Sequence, residues 1–257
     1  MSAENSTVLL GHHLKKLKLP TMWREHEKVA ALCRTERADF PQYLFRLSEL
    51  ELLDREVRSK ERRIRDAGFP VVKTIETFDF KAQPTINQEL FRGLMRGDYI
   101  DQKENVLLVG NSGTGKTHLA TALAFQACCQ GRAVRFFSVT SLVTQLLEHR
   151  EEKQLSKFYR QLARLHLIVL DELGYVPFSK AGAELLFECV SKAYERTSLI
   201  VTSNLPFENW IEVMGSERMT GALLDRLTHR VHILEANGQS FRLAESKKRL
   251  KQSERKN

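Results

Sequence analysis

A chain of 257 residues that is 42% hydrophobic and 28% charged can bury a sizeable core, which excludes general disorder and leaves room for one or two domains. With 40 Lys and Arg against 32 Asp and Glu the net charge is +8, which points to a polyanionic partner or to a merely basic surface. No stretch approaches the ~20 apolar residues of a membrane span and the N-terminus lacks a secretory apolar core, so a cytoplasmic protein without a membrane partner is expected.

The four cysteines, Cys33, Cys128, Cys129 and Cys189, show no C-x-x-C spacing and read as small buried apolar residues rather than a metal or redox site. Residues 1–70 carry helical periodicity. Leu10, Leu14 and Leu17 mark a short helix, "TMWREHEKVAALCRTER" a second, and "DFPQ" opens a long third one with Asp39 as its cap. That helix ends at "DAGFP", where Gly68 and Pro70 supply the stop, so the segment is expected to be a small all-helical domain that binds DNA, a partner, or both. Arg55, Arg58, Arg62 and Arg65 share one face of the long helix. They read either as a solvated face paired with Glu51, Asp54 and Glu61 or as candidate DNA-binding residues tracking phosphates.

Residues 71–104 look like a connector, with Phe78 and Phe80 on a short extended piece and Leu90 and Leu94 anchoring a short helix. Residues 105–242 alternate apolar runs, "VLLVG", "AVRFFSV", "LHLIVLDE", "SLIVTSN" and "RVHIL", with amphipathic helices. Runs of this kind suit strands covered on both faces, which predicts an α/β domain with a mainly parallel sheet flanked by helices. The basic tail, residues 243–257, reads as a frayed end or as a nucleic-acid arm.

The chemistry concentrates in "GNSGTGKT": Gly110, Asn111, Ser112, Gly113, Thr114, Gly115, Lys116 and Thr117 fit G-x-x-x-x-G-K-[ST] between a strand and a helix. Glycines let the backbone wrap a phosphate, and N–H groups at a helix start present positive charge to it. Lys116 is placed on the β- and γ-phosphates and the Thr117 hydroxyl on Mg²⁺, and His118 is grouped with the nucleotide-binding residues. Asp171 and Glu172 end a strongly apolar strand. Asp171 fits a Mg²⁺ carboxylate and Glu172 a base for the attacking water, although such a pair can also cap a helix. Asn204 ends another strand and is either a turn residue or an amide that orients that water. Arg226, on a helix with Leu223, Leu224 and Leu227, is either a salt-bridged surface residue or an arginine presented to a neighbouring subunit's γ-phosphate.

Taken in order, "GNSGTGKTHLA", "LIVLDELGY", "LIVTSN", "LLDRLTHR" and "NGQSFRL" resemble the IstB-like helper ATPases of insertion sequences, relatives of the DnaC-type helicase loaders in the AAA+ class. The early helical segment with "AGFP" is similar to that family too. The resemblance implies an AAA+ P-loop sheet, ATP with Mg²⁺, Asn204 as a water-positioning sensor, Arg226 as a finger across a subunit boundary and Arg242 as a second sensor. It further implies a homo-oligomer assembled with ATP on duplex DNA that helps a transposase choose and capture its target. A helicase loader acting on a replicative helicase is the alternative. The short stretch after "RVHIL" predicts no full C-terminal helical lid, which leaves the placement of Arg242 open.

Overall fold

In the computed structural model, which describes residues 3–241 and 243, the chain divides into two units at Arg62/Arg63. The first holds α1 (Ala3–Lys16), α2 (Pro20–Glu36) and most of α3 (Phe40–Ala67). Pro20 opens α2, where its missing N–H costs nothing. The next two N–H groups, of Thr21 and Met22, donate to Glu51 Oε2 at 2.8 and 3.1 Å, so a carboxylate from α3 sits on the positive end of α2. Asp39 caps α3 as expected, its Oδ1 accepting from the Gln42 N–H at 2.9 Å. The apolar centre of this unit is small: Val29, Cys33 and Leu47, with Met22, Ala38 and Tyr43 against them.

The last turn of α3 belongs to the second unit, where Ala67 is fully buried, so the division lies inside the helix rather than after it. Residues 71–104 supply two 3-10 turns, Ile75–Thr77 and Phe80–Ala82, then α4 (Gln88–Leu94) and α5 (Asp98–Asp101). Only Phe78 and Asp79 keep an extended backbone between the turns, because the Asp79 carboxylate accepts from the Lys81 and Ala82 N–H groups and tightens the chain there. Phe91, Leu94, Tyr99 and Ile100 are buried, so this segment contributes to the core of the second unit.

The sheet comprises β1 (Asn105–Val109), β2 (Val134–Ser138), β3 (Leu167–Leu173), β4 (Ser198–Ser203) and β5 (Val231–Glu235), one in each apolar run read from the sequence. All neighbours are parallel, in the order β2-β3-β4-β1-β5. Between the strands run α6 (Lys116–Cys129), α7 (Val139–Glu151), α8 (Leu155–Leu162), α9 (Lys180–Ala193), α10 (Trp210–Met214) and α11 (Glu217–Thr228). Alternate strand residues enter different cores. Leu107, Ile168, Leu170 and Val201 join the side chains of α7, α9 and α11, while Val106, Leu108, Val169 and Ile200 join those of α6 and α4. Both faces of the central strands β1, β3 and β4 are therefore dry, which is why these read as unbroken apolar runs. The buried Asn105 fixes register at the start of β1: its Nδ2 donates to Leu227 O and its Oδ1 accepts from Leu199 N, both at 3.0 Å.

No helix among the described residues is long and apolar enough to cross a membrane. Arg242, the tail beyond Leu243 and hence the expectation about a lid lie outside the described residues.

Candidate active site

The glycine-rich loop leaves β1 and enters α6. Gly110 has φ +140°, and a Cβ there would lie 2.2 Å from the Ala236 carbonyl oxygen. Gly115 has φ +94°, and its Cβ would lie 2.6 Å from the Phe78 ring. Neither position admits a side chain, so the backbone can wrap tightly. Lys116 is buried with its Nζ donating to Gly110 O at 2.7 Å and Asn111 O at 2.6 Å, while Thr114 Oγ1 donates to Asn111 O at 2.8 Å. The Phe241 N–H donates to Gly113 O at 2.9 Å, which ties the stretch after β5 to the loop.

Beside the loop, the ends of β3 and β4 form one bonded group. Asp171 Oδ1 accepts from Thr117 Oγ1 at 3.0 Å and from Thr202 Oγ1 at 2.7 Å, and Thr202 Oγ1 in turn accepts from the Glu172 N–H at 2.9 Å. Burial raises the Asp171 pKa, opposed by the bonds from Thr202 and Thr117 and by the charges of Lys116 and Lys73. The register slips here: Leu170 pairs with Val201 but Leu173 with Ser203, so β3 carries one extra residue. Glu172 takes up that bulge at φ +64°, which turns its side chain out of the sheet to the surface while Asp171 stays buried.

A cavity of about 420 Å³ opens over these groups, within the size range of small-molecule sites. Ser112, Gly113, Thr114, Gly115, Lys116, Thr117, His118, Glu172 and Asn204 line it, which brings together most of the site residues read from the sequence. Gly110 and Asn111 lie behind it, holding Lys116 through their carbonyls, and Asp171 reaches it through Thr117. Arg226 does not line its own chain's cavity. Its Nη1 donates to Ala222 O at 2.8 Å and its guanidinium lies 4.7 Å from the Phe187 ring centre.

Sequence reasoning missed Thr202, Tyr175 and Phe241, and the wall formed by Lys73, Thr77, Phe78, Asp79, Ala82 and Gln83. That wall is fastened to α6 by His118, whose Nε2 donates to Thr74 O at 2.9 Å and whose ring meets Phe78 edge-on. Burial lowers the His118 pKa, against the opposing effect of the Thr74 bond, which favours the neutral form of the ring. The aromatic pair Phe78 and Phe80 was the only signal in this stretch, since short 3-10 turns leave no periodicity to read.

The donor set fits a nucleotide with a hard cation: a phosphate loop, Phe78 and Phe241 as aromatic walls against it, and Thr117 and Asp171 as oxygen ligands. Among the described residues no group of three or more His, Cys, Asp or Glu could hold a metal ion. On α3, Arg55 and Arg58 pair with Glu51 at 3.4 and 3.3 Å, and Arg58 also with Asp54 at 3.2 Å. Arg62 and Arg65 are exposed, with no ion-pair partner among the described residues.

A P-loop strand between β4 and β5, with an acidic pair at the end of β3, defines a P-loop NTPase of the AAA+ class. More narrowly, the chain belongs to the IstB-like ATP binding protein family, whose sequence model matches residues 12–249. It is 36% identical over 247 residues to the ATP-binding protein of insertion sequence IS5376 from Geobacillus stearothermophilus, covering 96% of this chain and 98% of that one. It is 34% identical over 235 residues to the IS21 ATP-binding protein of Pseudomonas aeruginosa, covering 91% and 89%. Among solved structures, AMPPCP-bound DnaA from Aquifex aeolicus shares the fold with a TM-score of 0.54 at 18% identity. That match covers 72% of this chain and 56% of DnaA, so this chain spans little more than half the length of that protein. DnaI is similar with a TM-score of 0.51 at 14% identity, covering 65% and 89%.

Proposed function

We propose that the chain is an ATPase that assembles with ATP on duplex DNA and helps a transposase select and capture target DNA. The observation that carries the enzymatic part is the bonded group Thr117–Asp171–Thr202–Glu172 at the edge of the phosphate loop's cavity. Mg²⁺, when bound, supplies counter-charge to the phosphates, and Thr117 and Asp171 are the residues that would hold it. Lys116 binds the terminal phosphates, the Glu172 carboxylate takes a proton from the attacking water, and the Asn204 amide orients that water. Arg226 is absent from its own cavity, which supports its use in a neighbouring copy's site and hence a homo-oligomer.

The transposase partner is supported by relatives named for insertion sequences, and the DNA partner by the net charge of +8 and by the exposed Arg62 and Arg65, which have no ion-pair partner among the described residues. The test is mobility-shift binding to duplex and single-stranded DNA, with and without ATP, over a salt series. Cooperative, salt-sensitive duplex binding that needs ATP and disappears in Lys116→Ala is expected. Preference for single strands, or no DNA binding at all, would turn the reading toward a helicase loader.

A further inference from the structure

Gln83 is 2% exposed, forms part of the cavity wall, and lies in the segment before the sheet rather than in any nucleotide motif. Its Nε2 donates to the Gln239 carbonyl at 2.7 Å. A carbonyl oxygen only accepts, so the amide orientation is fixed with nitrogen toward Gln239. The Oε1 atom is then a buried acceptor, and no donor among the described residues reaches it. Buried acceptors are almost always satisfied, and one left over in the wall of a ligand cavity marks where a ligand donor belongs. Gly238 keeps this amide in place, since a Cβ there would lie 2.2 Å from Oε1.

Beside the phosphate loop the cavity is lined by Phe78, Ala82, Gln83 and Phe241, apolar and amide surface of the kind that suits a base. We propose that Gln83 sets the base preference of the site, its Oε1 accepting from the exocyclic 6-amino group of adenine and rejecting the 6-carbonyl of guanine and hypoxanthine. This rests on the nucleotide-site reading above and deepens it. An acceptor facing a carbonyl would leave two buried acceptors unpaired, whereas an amine satisfies Oε1 directly.

The experiment is equilibrium competition against a fluorescent ATP analogue by ATP, purine riboside triphosphate, inosine triphosphate and GTP. In the wild-type chain ATP should bind roughly 10-fold or more tightly than inosine triphosphate and GTP, with the purine lacking a 6-substituent in between. In Gln83→Leu, checked by its melting temperature, ATP and inosine triphosphate should fall within about 3-fold of each other. Gly238→Ala, which keeps Gln83 but displaces its amide, should shrink the ratio in the same direction. Equal binding of ATP and inosine triphosphate by the wild type, or an undiminished ratio in both variants, would overturn the proposal. Lys116→Ala separates the two levels: loss of all four nucleotides keeps the site reading whatever the base ladder shows, whereas unchanged binding sinks the site reading itself.

Discussion

In the helical unit three side chains, Val29, Cys33 and Leu47, make the apolar centre, while Phe40, Leu44, Phe45, Leu52 and Leu53 stand exposed, Phe40 to 89%. The sheet unit instead buries both faces of its three central strands, β3, β4 and β1. The first is held to a large extent by polar contacts, with Glu51 on the start of α2 and beneath Arg55 and Arg58; the second is held by apolar burial. Arginines that read as DNA contacts therefore serve the fold at two of four positions. A charge reversal at Arg58 would disturb Glu51 and Asp54 as well as any DNA contact, so Arg62 and Arg65 are the informative positions.

The largest effect that sharpens this contrast lies in the sheet unit. Glu172→Gln should lower ATP turnover by roughly 10²–10⁴-fold while the ATP dissociation constant stays near that of the wild type, because Lys116, Thr117 and Asp171 are untouched. Loss of ATP binding in that variant would remove Glu172 from the role of base. In the helical unit, Glu51→Leu should cost about 3 kcal/mol, the lower end for breaking a buried ion pair, since the arginines it strands are half exposed. Urea titration should show the loss in the helical transition alone; an equal shift in the sheet unit would break the comparison. Thr202→Val keeps the side-chain volume but unpairs the Glu172 N–H and removes a donor from Asp171, at about 1–3 kcal/mol in the sheet transition.

The smallest effect is a pH dependence. The His118 pKa lies below its ordinary value, so the unfolded chain takes up that proton first as pH falls. The stability contributed by the neutral ring is present at pH above about 6.5, the unperturbed histidine value, and declines as pH drops toward the folded pKa. Melting temperatures between pH 7.5 and 5.5 should show this decline, and His118→Gln should flatten it.

The central strands were legible because dry faces force unbroken apolar runs, and the loop because its glycines and Lys-Thr have a fixed spacing. Thr202 was not, since a threonine inside "SLIVTSN" looks like any β-branched strand residue until the neighbouring strand brings Asp171 beside it. The bulge at Glu172 was hidden for the same reason, being a property of two strands compared. Gln83 could not be read because its meaning depends on Gln239 and Gly238, more than 150 residues later.

Glu172 carries a further consequence. A glutamate at φ +64° holds a backbone that glycine or asparagine adopts with less strain. Variants at this position screened for heat resistance alone should drift to glycine or asparagine and come out sturdier and inert, so thermal tolerance and turnover pull this one codon in opposite directions.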